Sequence, residues 1–107
     1  MAQAELKAIL DELKQRLSDL YADRLAELIL YGSQARGEAD EDSDIDVLIV
    51  LKGEVDPCTE LDRVGDVVYD LSYGHDTLVT VVFVPEDKYN RGEGPLIRNA
   101  RREGIPL

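Results

Sequence analysis

Near the start of the chain, apolar residues recur every three or four positions: Leu6, Ile9, Leu10, Leu13, Leu17, Leu20 and Tyr21. Glu5, Lys7, Asp11, Glu12, Lys14, Gln15, Arg16 and Asp19 fill the gaps. This period predicts a helix over residues 3–22 with one apolar stripe and one solvated face. The stripe suits either the cover of a sheet or a partner helix in a homodimer. Residues 25–31 predict a short strand that stops at Gly32, and 33–36 can make a helical turn. Leu20, Tyr21 and Leu25, where stripe and strand meet, are expected in the core. A second strand is predicted over 44–51. Its unbroken apolar run after Asp46 indicates a central strand buried on both faces.

Asp56-Pro57 is a helix start, with Asp as N-cap and Pro at the first helical position. Leu61, Val64, Val67, Val68 and Leu71 then form a stripe, so a helix is predicted over 57–72, stopped by Gly74. Residues 78–84 are rich in β-branched side chains and predict a third strand, closed by Pro85. The polar stretch 86–94 reads as a loop with a helical turn, and 96–103 as a last short helix stopped by Gly104. The order is helix, strand, strand, helix, strand, helix. It implies a small α/β (α+β) fold, a mixed β-sheet with helices packed against it. With 107 residues, residues 1–107 are expected to form one domain around one core.

The formal net charge is -11. It argues against direct nucleic acid binding, which needs a basic surface, and is compatible with a basic protein partner or with solubility alone. No apolar run has the length of a membrane span. Met1-Ala2-Gln3-Ala4-Glu5 has neither a basic start nor an apolar signal core, so a cytoplasmic location is expected. The one cysteine, Cys58, excludes an intrachain disulfide framework and is expected to be a small packing residue. One His and one Cys leave no zinc site to propose.

The chemistry concentrates in one stretch. Leu30-Tyr31-Gly32-Ser33-Gln34-Ala35-Arg36-Gly37 is followed by a polar loop and then Asp44-Ile45-Asp46-Val47-Leu48. Alternate residues of a strand share a face, so Asp44 and Asp46 stand side by side, roughly 7 Å apart between Cα atoms. Two like charges so close repel, and each costs desolvation if buried. A divalent cation relieves both effects. Mg²⁺ takes one or two protein carboxylates and completes its shell with phosphate oxygens and water. A strand that ends at Gly32-Ser33 and turns into a helical segment offers backbone N–H groups and a hydroxyl to a phosphate. A phosphate grip and a metal clamp on adjacent strands are what transfer from a nucleoside triphosphate requires. The bland alternative is that Asp44 and Asp46 are a polar start to a strand.

Gly32-Ser33, ten residues, then Asp44-Ile45-Asp46 resembles the signature of the DNA polymerase β-type nucleotidyltransferase superfamily. Ala35-Arg36-Gly37 and Ser43-Asp44-Ile45-Asp46 are similar to its minimal nucleotidyltransferase branch. The resemblance covers 25–107 and implies the nucleotidyltransferase fold. It further implies an enzyme that transfers a nucleoside monophosphate, AMP from ATP or that of another nucleoside triphosphate, to a protein hydroxyl. Some members of the branch are antitoxins that modify a tyrosine of a HEPN-domain partner. On this resemblance Gly32 and Ser33 hold the triphosphate, and Asp44 and Asp46 bind Mg²⁺ and are catalytic. The family pattern has a third carboxylate on the next strand, where this chain aligns Thr80. Asp76, about four residues upstream and roughly 13 Å along an extended strand, is the nearest candidate for that role. The alternative function is a catalytically weak nucleotide-binding or protein-interaction module that acts on its partner by contact.

Other polar residues carry two readings. Arg36 can meet a phosphate, or it can hold the turn after Ser33 by a salt bridge. Glu38, Asp40, Glu41 and Asp42 form an acidic loop that can gather cations or be a solvated surface. Ser43 is expected to hydrogen-bond the loop where the strand begins. His75 is expected to be an exposed loop residue. Arg98, Arg101 and Arg102 suit a partner or a triphosphate, but Arg101 and Arg102 are explained equally by the C-terminal dipole of the last helix.

Overall fold

A computed structural model of the chain describes residues 3–38 and 44–107. The expected positions of Asp40, Glu41, Asp42 and Ser43 lie outside the described residues. The elements are α1 (Gln3–Tyr21), a 3₁₀ turn (Ala22–Arg24), β1 (Leu25–Tyr31), α2 (Ser33–Arg36) and β2 (Ile45–Leu51). They continue with α3 (Pro57–Gly74), β3 (Val79–Pro85), α4 (Glu86–Arg91), α5 (Pro95–Glu103) and β4 (Ile105–Pro106). The four strands form one mixed sheet in the order β3-β2-β1-β4. β1 is antiparallel to β2 and β4, and β2 is parallel to β3 through the α3 crossover. This is the mixed α/β sheet that the sequence predicts.

β2 lies inside the sheet, and both its faces are covered. Ile45, Val47, Ile49 and Leu51 meet the stripe of α1 (Leu6, Ile9, Leu10, Leu13, Leu17, Tyr21) and the buried positions of α3 (Val64, Val67, Leu71). Leu48 and Val50 join Ile29 and Val84 under Ile97 and Ala100 of α5. Full burial of one such Leu or Ile stabilises by about 1.5–3 kcal/mol. The α1 stripe is thus spent on this chain's own sheet. Two expected core residues are not in it: Leu20 is 42% and Leu61 53% exposed. Each sits at the rim of its helix stripe, where neither the sheet nor the other helix reaches. Cys58 is exposed too, because the first turn of α3 projects beyond the core.

Local signals set most boundaries. The Asp56 side chain caps α3 by accepting from the N–H groups of Cys58 and Thr59. α3 runs two residues past its expected end and includes Gly74; the left-handed turn after it falls on Asp76, at φ 51°. α5 ends at Gly104 as expected, with the Gly104 N–H on the Ala100 carbonyl. The glycine is required by space, since a Cβ there would collide with that carbonyl and with Ile29. The helical turn expected within 86–94 is the six-residue α4, and Arg101 donates to the Tyr89 and Asn90 carbonyls at its end. β4 was not expected: two residues follow Gly104 onto the free edge of β1, Pro106 opposite Ile29.

Among the described residues one charged side chain is buried. Glu60 on α3 is 2% exposed. Its carboxylate accepts from the Tyr21 hydroxyl at 3.0 Å and pairs with Arg24 at 2.7 Å, while Arg63 lies at 3.5 Å. Arg24 also donates to the carbonyls of Lys52 and Glu54, just past the C-terminal end of β2. Burial, reinforced by the hydrogen bond to Glu60, pushes the Tyr21 phenol well above its usual pKa. Among the described residues no helix is long and apolar enough to cross a membrane.

Candidate active site

The candidate site lies at the other end of β2. β1 and β2 pair so that Tyr31 stands opposite Asp46, which puts the residue after Tyr31, Gly32, against the aspartate. The fit is close: a Cβ built on Gly32 would lie 2.5 Å from Asp46 Oδ2. Gly32 also takes φ 75°, a left-handed conformation that favours glycine. Two independent constraints therefore demand glycine here. From Gly32 the chain enters the short helix α2 at Ser33, whose first-turn N–H groups are those a helix leaves without internal acceptors.

Asp46 shares a face with Leu48 and Val50, the α5 side of the sheet, by strand alternation. α5 covers those two and stops short of Asp46, which is only half-buried. Asp44 precedes the strand and is exposed. The parallel register sets Asp46 beside Thr80 of β3, and the Thr80 hydroxyl donates to Asp46 Oδ1 at 2.5 Å. At this register position Thr80 holds Asp46 by a hydrogen bond and adds no charge. Among the described residues no Lys, Arg or His pairs with either aspartate. The phenol of Tyr31 is also raised in pKa, by burial and then by the nearby Asp46 charge.

Asp76 is four residues before Thr80 and does not reach the same strand position. It lines an open cavity of about 780 Å³ together with Asp44, Tyr69, Ser72, Tyr73, Thr77 and Leu78. Arg36 is committed to ion pairs, Nε to Glu38 at 3.0 Å and Nη1 to Glu103 of α5 at 3.4 Å. The Glu38 bond, followed by Glu103, holds the guanidinium above its ordinary pKa. His75 is half-buried, its Nδ1 3.8 Å from Glu5 of α1. Arg102 bonds to Asn99 and Glu103 within its own helix.

Gly32 therefore packs against Asp46, with Ser33 next to it in the chain, while Asp44 lines a cavity together with Asp76. Among the described residues no cluster of three acidic, His or Cys side chains surrounds a metal position. Two hard carboxylate oxygen donors suit Mg²⁺ when a substrate's phosphates and water supply the remaining ligands. The sequence alone did not reveal the Thr80–Asp46 bond, the Gly32–Asp46 apposition or the Tyr69–Tyr73 wall of the cavity. The last had a signal: two aromatics at i, i+4 that lie off the apolar stripe of α3.

The nucleotidyltransferase domain family matches residues 7–105. A Methanocaldococcus jannaschii protein named "putative protein adenylyltransferase" is 37% identical over 104 residues, which cover 96% of this chain and 97% of that protein. A solved structure described as a "putative minimal nucleotidyltransferase" superposes with a TM-score of 0.67 at 29% identity, covering 100% of this chain and 97% of that one. The fold also matches a chain from the complex of the tri-AMPylated Shewanella oneidensis HEPN toxin with an MNT antitoxin. There the TM-score is 0.56 at 17% identity, with 99% of this chain and 71% of that one covered.

Proposed function

This chain belongs to the nucleotidyltransferase domain family, and from that premise we propose that it transfers AMP from ATP to a hydroxyl of a HEPN-domain partner protein. The apposition of Gly32 and Asp46 across the β1–β2 pair carries the reading. It sets the turn read as the phosphate grip directly against Asp46, two residues along the chain from Asp44. The 37% identical relative is named for protein adenylyl transfer, and the fold is that of a chain solved with an AMPylated HEPN toxin; both support the choice of nucleotide and partner.

In this reading the turn at Gly32 and Ser33 binds the β- and γ-phosphates. Asp44 and Asp46 would hold Mg²⁺, which when bound neutralises phosphate charge and orients the α-phosphate. Thr80 fixes Asp46 in position through its hydroxyl. The acceptor and the departing pyrophosphate lie on opposite sides of the α-phosphorus in an in-line displacement. With the phosphates held on the β1 flank of β2, the acceptor approaches from the β3 flank, where the cavity shared by Asp44 and Asp76 opens. In this reading Asp76, which lines that cavity, takes the acceptor's proton.

The test is to incubate the chain with the product of its neighbouring gene, Mg²⁺ and each nucleoside triphosphate in turn, and to read that product's intact mass. A gain of one or more AMP units from ATP is expected. Asp46→Asn should lower the rate on the order of 10²–10³-fold, the scale of losing one element of transition-state charge stabilisation, with the thermal midpoint kept. Thr80 in place of an acid favours a second reading, a module that acts by contact. A stable complex without mass gain, with the partner still neutralised by Asp46→Asn, would establish that reading and exclude the first.

A further inference from the structure

The flank assigned above to the acceptor already carries hydroxyl groups of this chain. Tyr69 and Tyr73 of α3 are one helical turn apart and stack on each other, with ring centroids 5.5 Å apart and 13° between planes. They are 64% and 78% exposed, although aromatic rings usually bury most of their area. Both line the cavity that contains Asp44 and Asp76. Among the described residues, no hydrogen bond engages either phenol oxygen. The chain's other three tyrosines are differently placed. Tyr21 donates to buried Glu60. Tyr31 stands on the β1 flank, packed against the α5-side core. Tyr89 lies under the Arg101 guanidinium. Tyr73 is the more exposed of the stacked pair, and its carbonyl accepts from the Asp76 N–H at 3.5 Å. Tyr73, Asp76 and Asp44 thus line one open cavity.

We infer that Tyr73 is an internal acceptor, and that the chain transfers a nucleoside monophosphate onto its own phenol oxygen when no partner fills the cavity. The inference rests on the transferase reading above. In the step, the Tyr73 oxygen forms a bond to the α-phosphorus of ATP. The bond from that phosphorus to the oxygen bridging to the β-phosphate breaks, and pyrophosphate leaves with the electron pair. The phenol proton passes to the Asp76 carboxylate and then to water. The product is a phosphodiester between Tyr73 and adenosine. It places a bulky anion in the cavity mouth, so the modified chain has its acceptor flank closed until the group is removed.

The experiment uses the purified full chain without partner, with Mg²⁺ and ATP, read by intact mass and by peptide mapping. The same two readings are made on the chain as isolated from the cells that produce it. One AMP per chain, mapped to Tyr73, is expected. The gain should be absent in Tyr73→Phe and in Asp46→Asn. Its rate per chain should not change on dilution, since the acceptor belongs to the same molecule. AMP on another residue, or a rate per chain proportional to concentration, would overturn the assignment. So would an unmodified chain that nevertheless transfers AMP to its partner, an outcome that leaves the transferase reading intact. AMP on Tyr73 with none on the partner would keep this inference and reject the HEPN acceptor. No transfer to either would reject both.

Discussion

At the C-terminal end of β2, the Glu60 carboxylate is 2% exposed and is met by a phenol and two guanidinium groups of the same chain. At the N-terminal end, Asp44 and Asp46 have no cationic partner among the described residues, and Asp46 accepts from the Thr80 hydroxyl. The protein thus places acids at both ends of one strand and neutralises one set. A buried carboxylate needs its counter-charges to be built into the fold, because its desolvation cost is offset only while they are present. Carboxylates left half-open and unpaired have their charge available to something that arrives from solution. The first arrangement fixes the junction of α1, α3 and the end of β2. The second leaves its charge unpaired at the surface, where the proposed function puts the metal and the phosphates.

The sharpest way to break the contrast is at the neutralised end. Glu60→Ala removes the buried acid and strands Arg24 and the Tyr21 hydroxyl. A loss of about 3 kcal/mol is expected, at the low end for a broken buried pair because Arg24 is partly solvated. Urea denaturation measures it. The rate of AMP transfer per folded molecule should stay near wild type, and a rate collapse without a stability loss would show that the two ends are not separate in role.

At the open end the signs reverse. Gly32→Ala must place a Cβ against Asp46 Oδ2 at a left-handed φ. The backbone strain costs about 1–2 kcal/mol, a smaller stability loss than that of Glu60→Ala. Displacing Asp46 should lower transfer on the order of 10²-fold, read by partner mass gain beside the denaturation curve. Retained transfer would mean that the aspartate can move without penalty.

The smallest effect is expected at Thr80→Val, which keeps the shape and deletes the donor to Asp46. Losing one such hydrogen bond is worth about 1 kcal/mol, roughly fivefold in rate, with a thermal midpoint close to wild type. A loss as large as that of Asp46→Asn would give the Thr80 hydroxyl a direct part in the chemistry.

Much of this contrast was legible in the chain itself. The 3.6-residue period of α1, the β-branched run of β3 and the Asp56-Pro57 cap report local preferences, and the structure keeps all three. The Gly32-Ser33 and Asp44-Ile45-Asp46 spacing located the open end. The neutralised end was invisible, because Tyr21, Arg24 and Glu60 carry no pattern in sequence and meet only when α3 packs beside the end of α1. Leu20 and Leu61 fit their stripes by period yet remain exposed, because a stripe's rim is defined by how far its neighbours extend.

Periodicity, caps and motif spacing act over a few residues, so the order of α1, β1, β2, α3, β3 and α5 and the central place of β2 are readable from the chain alone, as is the Gly32-Ser33 to Asp44-Ile45-Asp46 spacing. The hold of Thr80 on Asp46, the closing of the sheet edge by β4 and the Tyr69–Tyr73 wall of the Asp44 cavity come from the folded arrangement. Each of these depends on strand register or helix placement, which are fixed by contacts between residues far apart in the chain.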